Sequence, residues 1–70
     1  MDNVEIRLIL RKKALETVRE STEMLKEAVA LLKSGNQQRA ARLQKEARDK
    51  RVNSVWLMEE ANKIERDSQR

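Results

Sequence analysis

The sequence contains no cysteine, histidine or proline, and it has a single glycine, Gly35, and a single aromatic residue, Trp56. Without cysteine the chain can form no disulfide, and without cysteine and histidine the usual zinc ligand sets are excluded. One glycine cannot build a glycine-rich phosphate loop, and no nucleophile has an evident neighbouring base. We therefore expect a protein that is not an enzyme and that binds no metal or cofactor.

Long apolar runs are also missing. The longest is AVALL at residues 28–32, which is far shorter than a membrane span. The acidic residues Asp2 and Glu5 argue against a secretion signal or an organelle transit peptide at the start of the chain. These features predict a cytoplasmic or other intracellular location.

Charged residues make up 40% of the chain and hydrophobic residues 39%, with a net charge of +4. This composition is too apolar and too periodic for a disordered tail, and the scarcity of aromatic residues argues against a sheet. A chain of 70 residues is a single domain, 1–70, near the lower limit for a self-sufficient core. Because neither disulfide nor zinc can help, oligomerisation is the expected stabiliser.

Local signals predict two long helices joined by a tight turn. Asp2 with Glu5 three residues later has the spacing of a capping box, which marks a helix start. In KSGN, Lys33 suits a helix C-terminus, Gly35 the left-handed position after it, and Asn36 the cap of the next helix. The prediction is an all-α antiparallel helical hairpin, with helix 1 at about 3–33, the turn at 34–36 and helix 2 at about 37–67.

A seven-residue apolar pattern on each helix predicts the seam of the hairpin. On helix 1 the pattern comprises Val4, Leu8, Arg11, Leu15, Val18, Thr22, Leu25, Val29 and Leu32. On helix 2 it comprises Ala40, Leu43, Ala47, Lys50, Ser54, Leu57, Ala61, Ile64 and Ser68.

Helix 1 carries a second face that this seam does not use. Small residues recur on it every seven positions and would let two helix backbones approach closely; the face comprises Leu10, Ala14, Thr17, Ser21, Met24, Ala28 and Leu31. Paired antiparallel with its own copy about Ser21, it maps onto itself, as a two-fold interface must. Trp56 of helix 2 is expected to cover Ala14 and Thr17 at its edge. We therefore predict a homodimer, in which two hairpins form a four-helix bundle.

The alternative is that this face packs against a third helix, from a longer parent protein or from another protein. Four apolar residues are expected outside both interfaces and partly exposed: Ile6, Ile9, Val52 and Val55. If they form one surface, they mark a partner site.

Basic residues on helix 2 suggest another kind of partner. Arg39, Arg42, Lys45 and Arg48 could contact phosphates if a dimer presents two such helices together. Acidic residues interrupt the segment, and the sequence contains no recognisable DNA- or RNA-reading motif.

The layout of two matched helices around a central turn is similar to that of small plasmid-encoded bundle dimers that regulate RNA pairing. SGN at 34–36, followed by alanine at position 40, resembles the turns of helical-repeat and microtubule-transport-type hairpins. Neither resemblance extends to individual functional residues.

The leading functional hypothesis is a helical interaction module that self-associates and docks a partner protein helix or motif. One alternative is a small basic regulator that binds RNA or DNA as a bundle dimer. The other is that the chain is an excised oligomerisation segment of a larger protein.

Overall fold

The structure, a computed structural model, describes residues 2–68 and confirms the helical hairpin. Helix α1 spans Asn3–Lys33 and helix α2 spans Gln37–Ser68, within one residue of the sequence-based bounds. The two helices lie antiparallel in a rod whose Cα atoms extend over 54 × 14 × 14 Å. Neither helix, over the described part of the chain, has an apolar stretch long enough to cross a membrane.

The start of α1 is set by Asp2. This residue has an extended backbone, and its Oδ1 accepts a hydrogen bond of 2.8 Å from the backbone N–H of Glu5. The bond satisfies one of the amides that lack a partner in the first turn of a helix. The predicted cap is therefore present.

The turn between the helices is built around Gly35, whose φ of +87° lies in the left-handed region. The N–H of Asn36 donates to the carbonyl of Leu31 at 2.8 Å, and the N–H of Gly35 donates to that of Leu32 at 3.1 Å. This pair of bonds is the Schellman motif, which closes a helix C-terminus. The Oδ1 of Asn36 then accepts from the N–H of Arg39 at 3.3 Å and so caps α2.

The two helices meet along columns of small residues that recur every seven positions. The buried small residues are Ala14, Ser21 and Ala28 on α1 and Ala40, Ala47, Ser54 and Ala61 on α2. Ser21 is 0% exposed, and its hydroxyl donates a 3.0 Å hydrogen bond to the backbone carbonyl of Ala47. A side chain as short as serine reaches the opposite backbone only where the two helices lie close together.

The seam predicted for helix 2 agrees with the structure, but the seam predicted for helix 1 is wrong by one residue. The buried positions are Ala14 instead of Leu15, Ser21 instead of Thr22, and Ala28 instead of Val29. Because one residue corresponds to about 100° around a helix, α1 is turned by about that angle from the predicted orientation. The larger apolar residues of the seam predicted for helix 1, apart from the half-buried Leu25, are consequently exposed.

Candidate helix-binding surface

The displaced seam residues form a mainly apolar line along α1, here called the α1 stripe. Its large exposed members are 40–60% exposed and comprise Val4, Leu8, Leu15, Val18, Val29 and Leu32. The half-buried Leu25 and the polar residues Arg11 and Thr22 complete the line. The stripe extends over about 42 Å of helix at 1.5 Å per residue.

The spacing of the stripe suits contact with another helix. Its members alternate at three and four residues, which is the pattern that keeps one apolar line facing a partner helix over many turns. Each member lies one residue after a member of the seam, so the stripe faces about 100° away from α2. A second helix could therefore pack on it without disturbing the hairpin.

Both polar members of the stripe already have partners within the chain. An Nη2 of Arg11 lies 2.6 Å from Oε2 of Glu65 on α2. The hydroxyl of Thr22 donates to the carbonyl of Val18, one turn earlier, at 3.0 Å. Covering the stripe would therefore leave the charge of Arg11 paired with Glu65 and the hydroxyl of Thr22 hydrogen-bonded.

Helix α2 borders the stripe with a mixed set of side chains. Arg51 contacts Ser21 through Nε at 3.2 Å, and Glu65 contacts Arg11, so these two residues locate the edge of α2 beside α1. Met58 lies in the same heptad column midway between them and is 40% exposed. The border therefore contributes one apolar side chain between two charged ones.

The structure places the interface residues predicted from the sequence inside the hairpin itself. Ala14, Thr17, Ser21 and Ala28 are buried, and Leu10, Met24 and Leu31 are half-buried. Helix α2 occupies the face that was assigned to a second copy. The physical reason is that a column of small residues allows close approach equally well to α2 of the same chain, which is tethered beside it by a short turn.

Trp56 also differs from its predicted role. It is 55% exposed and neighbours the buried Leu57, so it lies on the outer side of α2, away from the seam. With Val52 and Val55 it forms a smaller exposed patch, because positions i, i+3 and i+4 adjoin on a helix surface. Ile9 is exposed as expected, and Ile6 is partly buried.

The four basic residues singled out from the sequence are all exposed on α2: Arg39, Arg42, Lys45 and Arg48. No ion pair involves them within residues 2–68. Their spacing of three residues turns each by about 60° relative to the one before, so they spiral around the outer side of α2 instead of forming one line. Exposed Glu46 and Asp49 interrupt the spiral.

Four glutamates within residues 2–68 form ion pairs at the surface of the hairpin: Glu20, Glu23, Glu60 and Glu65. Oε2 of Glu20 lies 2.6 Å from Nζ of Lys50, and this hydrogen bond together with the positive charge of Lys50 holds the pKa of Glu20 below its ordinary value of 4.5. Nζ of Lys26 lies 3.4 Å from Oε1 of Glu23, and Nζ of Lys63 lies 3.1 Å from Oε1 of Glu60. Within residues 2–68 no group of three or more acidic side chains could hold a metal ion.

The sequence contained a signal that could have located the α1 stripe correctly. Both helices carry small residues at the same seven-residue spacing, and matching those two columns with each other gives the observed seam. With that seam, the larger apolar residues of helix 1 lie outside the contact with helix 2 and form an exposed surface. Comparisons with protein-family models, with curated proteins and with solved structures find no match for the chain.

Proposed function

We propose that the protein is a helical interaction module, not an enzyme, and that its α1 stripe binds another helix. The observation that carries this proposal is the stripe itself: six large apolar side chains that lie on one line of α1 and leave 40–60% of their surface exposed. Exposed apolar residues grouped along one line are typical of protein interfaces, whereas singly scattered ones are normal on any surface.

The total exposed surface supports the same conclusion. The hairpin exposes 5565 Å², whereas a compact monomer of 8.2 kDa is expected to expose about 4,500 Å². The excess of about 1,000 Å² is comparable to the roughly 800 Å² that each partner buries in a protein interface of standard size. Covering the stripe would bring the exposure close to that of an ordinary small protein.

The direction of the stripe suits a four-helix bundle. In such a bundle each helix contacts two neighbours that lie roughly at right angles to each other, and the α1 stripe faces about 100° away from the α2 seam. The bundle is therefore the arrangement in which α1 would pack on α2 with one face and on an added helix with the other. The added helix comes from a second hairpin or from a partner protein.

Photo-crosslinking in the cells that make the protein tests this proposal. A benzoylphenylalanine placed at Leu15, within the stripe, is expected to form covalent adducts with protein. The same probe at the neighbouring exposed residue Glu16 is expected to form few. The Leu15 adducts should disappear when Val18 is changed to glutamate. If the Leu15 probe captures no protein while the hairpin remains helical, the stripe is not a binding surface.

Nucleic acid is the second candidate partner, and it is favoured by the exposed cations on α2 that form no ion pair with residues 2–68. A labelled RNA or DNA duplex mixed with the protein in about 50 mM salt should then show an anisotropy change that weakens steeply as salt is added. Changing Arg39, Arg42, Lys45 and Arg48 together to glutamine should abolish that change. Absence of binding at this low salt concentration would eliminate the candidate.

A further inference from the structure

The α1 stripe reads almost the same in both directions along the helix. From Val4 to Val29 its eight members are valine, leucine, arginine, leucine, valine, threonine, leucine and valine. In reverse order they are valine, leucine, threonine, valine, leucine, arginine, leucine and valine. The two readings place apolar residues opposite apolar residues and the two polar residues opposite each other. Such a line is complementary to its own antiparallel copy.

We propose that the occupant of the stripe is α1 of a second copy of this chain, packed antiparallel about a two-fold axis level with the Glu16–Thr17 peptide. This rests on the proposed function, since it names the helix that the stripe binds. Val4 then faces Val29 of the second copy, Leu8 faces Leu25, and Leu15 faces Val18. The symmetry generates each of these layers twice. Arg11 faces Thr22 in the remaining two layers.

Other registers give poorer layers. A parallel pairing without offset would place Arg11 against its own copy, with like charges directly opposed. Moving the antiparallel pairing by one heptad places Arg11 opposite Val29 in one direction and opposite Leu15 in the other. Each of those shifts also places Thr22 opposite a valine. Only the register centred between Glu16 and Thr17 confines polar residues to layers of their own.

The polar layers fit this arrangement because the charge of Arg11 and the hydroxyl of Thr22 each have a partner within their own chain. Arg11 pairs with Glu65 at 2.6 Å, so its charge already has a carboxylate partner and its long aliphatic stem is available to the interface. Thr22 uses its hydroxyl on the Val18 carbonyl, which leaves its methyl group available for contact. A single polar position of this type can select register in helix pairs.

The mass in solution, measured for the wild type and for a matched pair of variants, tests whether a second copy of the chain binds the stripe. Light scattering across protein concentration should give about twice 8.2 kDa for the wild type. Leu15→Glu should weaken the dimer at least about 100-fold, because the two-fold axis introduces two carboxylates into apolar layers. Ile9→Glu is the control, since Ile9 is 53% exposed on the same helix but lies outside the stripe. That variant should remain a dimer, and circular dichroism should show both variants helical.

Cysteine crosslinking tests the orientation. Because the chain has no native cysteine, only the introduced cysteines can react with the crosslinker. Val4→Cys and Val29→Cys chains are prepared separately and then mixed with a short bismaleimide. The mixture should give a crosslinked dimer, whereas each variant alone should not, because identical positions would lie about 37 Å apart along the helices. Both side chains are exposed in the hairpin, so neither substitution should impair folding.

Each outcome has a distinct meaning. A dimer that crosslinks only in the mixture supports the proposal. A dimer in which Val4→Cys crosslinks with itself is parallel and overturns it, as does a dimer that survives Leu15→Glu. A monomer at all concentrations also overturns it, yet the helix-binding function would stand if the Leu15 photo-probe captured another protein. No adduct of any kind would remove both proposals.

Discussion

At the scale of single residues, the turn depends on a conformation that most side chains avoid. Gly35 has φ of +87°, and a Cβ at this position would meet no atom within 4 Å. The cost of a substitution therefore comes from the backbone and not from a clash. We expect Gly35→Ala to destabilise the hairpin by about 1 kcal/mol, or about 4–8 °C in the thermal midpoint. Gly35→Asn should cost less, because asparagine tolerates this region. Equal midpoints for wild type and Gly35→Ala would contradict the turn geometry.

The ion pair between Glu20 and Lys50 should make a small contribution to stability that depends on pH. Lys50 lowers the pKa of Glu20 in the folded state, first by hydrogen bonding and then by its charge. A group whose pKa falls on folding stabilises the protein above its unfolded pKa, and that contribution disappears as the pH drops through the folded value. Glu20→Gln should therefore lower the thermal midpoint near pH 7 and make no difference well below pH 4.5. A midpoint difference that persisted in acid would have another origin.

At the scale of the helix, the orientation of α1 can be tested with two adjacent residues. Ser21 is fully buried against α2, whereas its neighbour Thr22 lies in the exposed stripe. Ser21→Leu should overpack the seam and cost at least about 2 kcal/mol in the free energy of unfolding. Thr22→Leu should change it by less than about 0.5 kcal/mol. Urea denaturation measures both free energies of unfolding. If Thr22→Leu were the more destabilising substitution, the seam predicted from the sequence would be correct.

The ends of the helices could be predicted from the sequence because their chemistry is local. Asp2 caps an amide three residues away, and Gly35 and Asn36 complete a motif within a few residues of each other. The orientation of α1 could not be predicted by choosing the largest apolar residues, since that choice selected the α1 stripe. Leu15 and Val18 have the same helical spacing as Ala14 and Thr17, so periodicity does not distinguish the two lines.

At the scale of the whole molecule, the hairpin buries small side chains and exposes large ones. A monomer with this distribution has a thin core, and binding a second chain through the stripe should stabilise it by mass action. We expect the thermal midpoint to rise with protein concentration, with a 100-fold increase contributing up to about 2.7 kcal/mol. Leu15→Glu should remove this dependence. Wild-type midpoints that do not change over that concentration range would indicate a stable monomer.

The sequence by itself determined the helical hairpin, because capping, glycine conformation and helical period act between residues a few positions apart. The tertiary structure alone decided which line of α1 faces α2. Short side chains on both helices allow the backbones to approach until the hydroxyl of Ser21 reaches the carbonyl of Ala47. That close approach requires matching small residues on two helices at once, and it is a property of the pair that neither helix reveals alone.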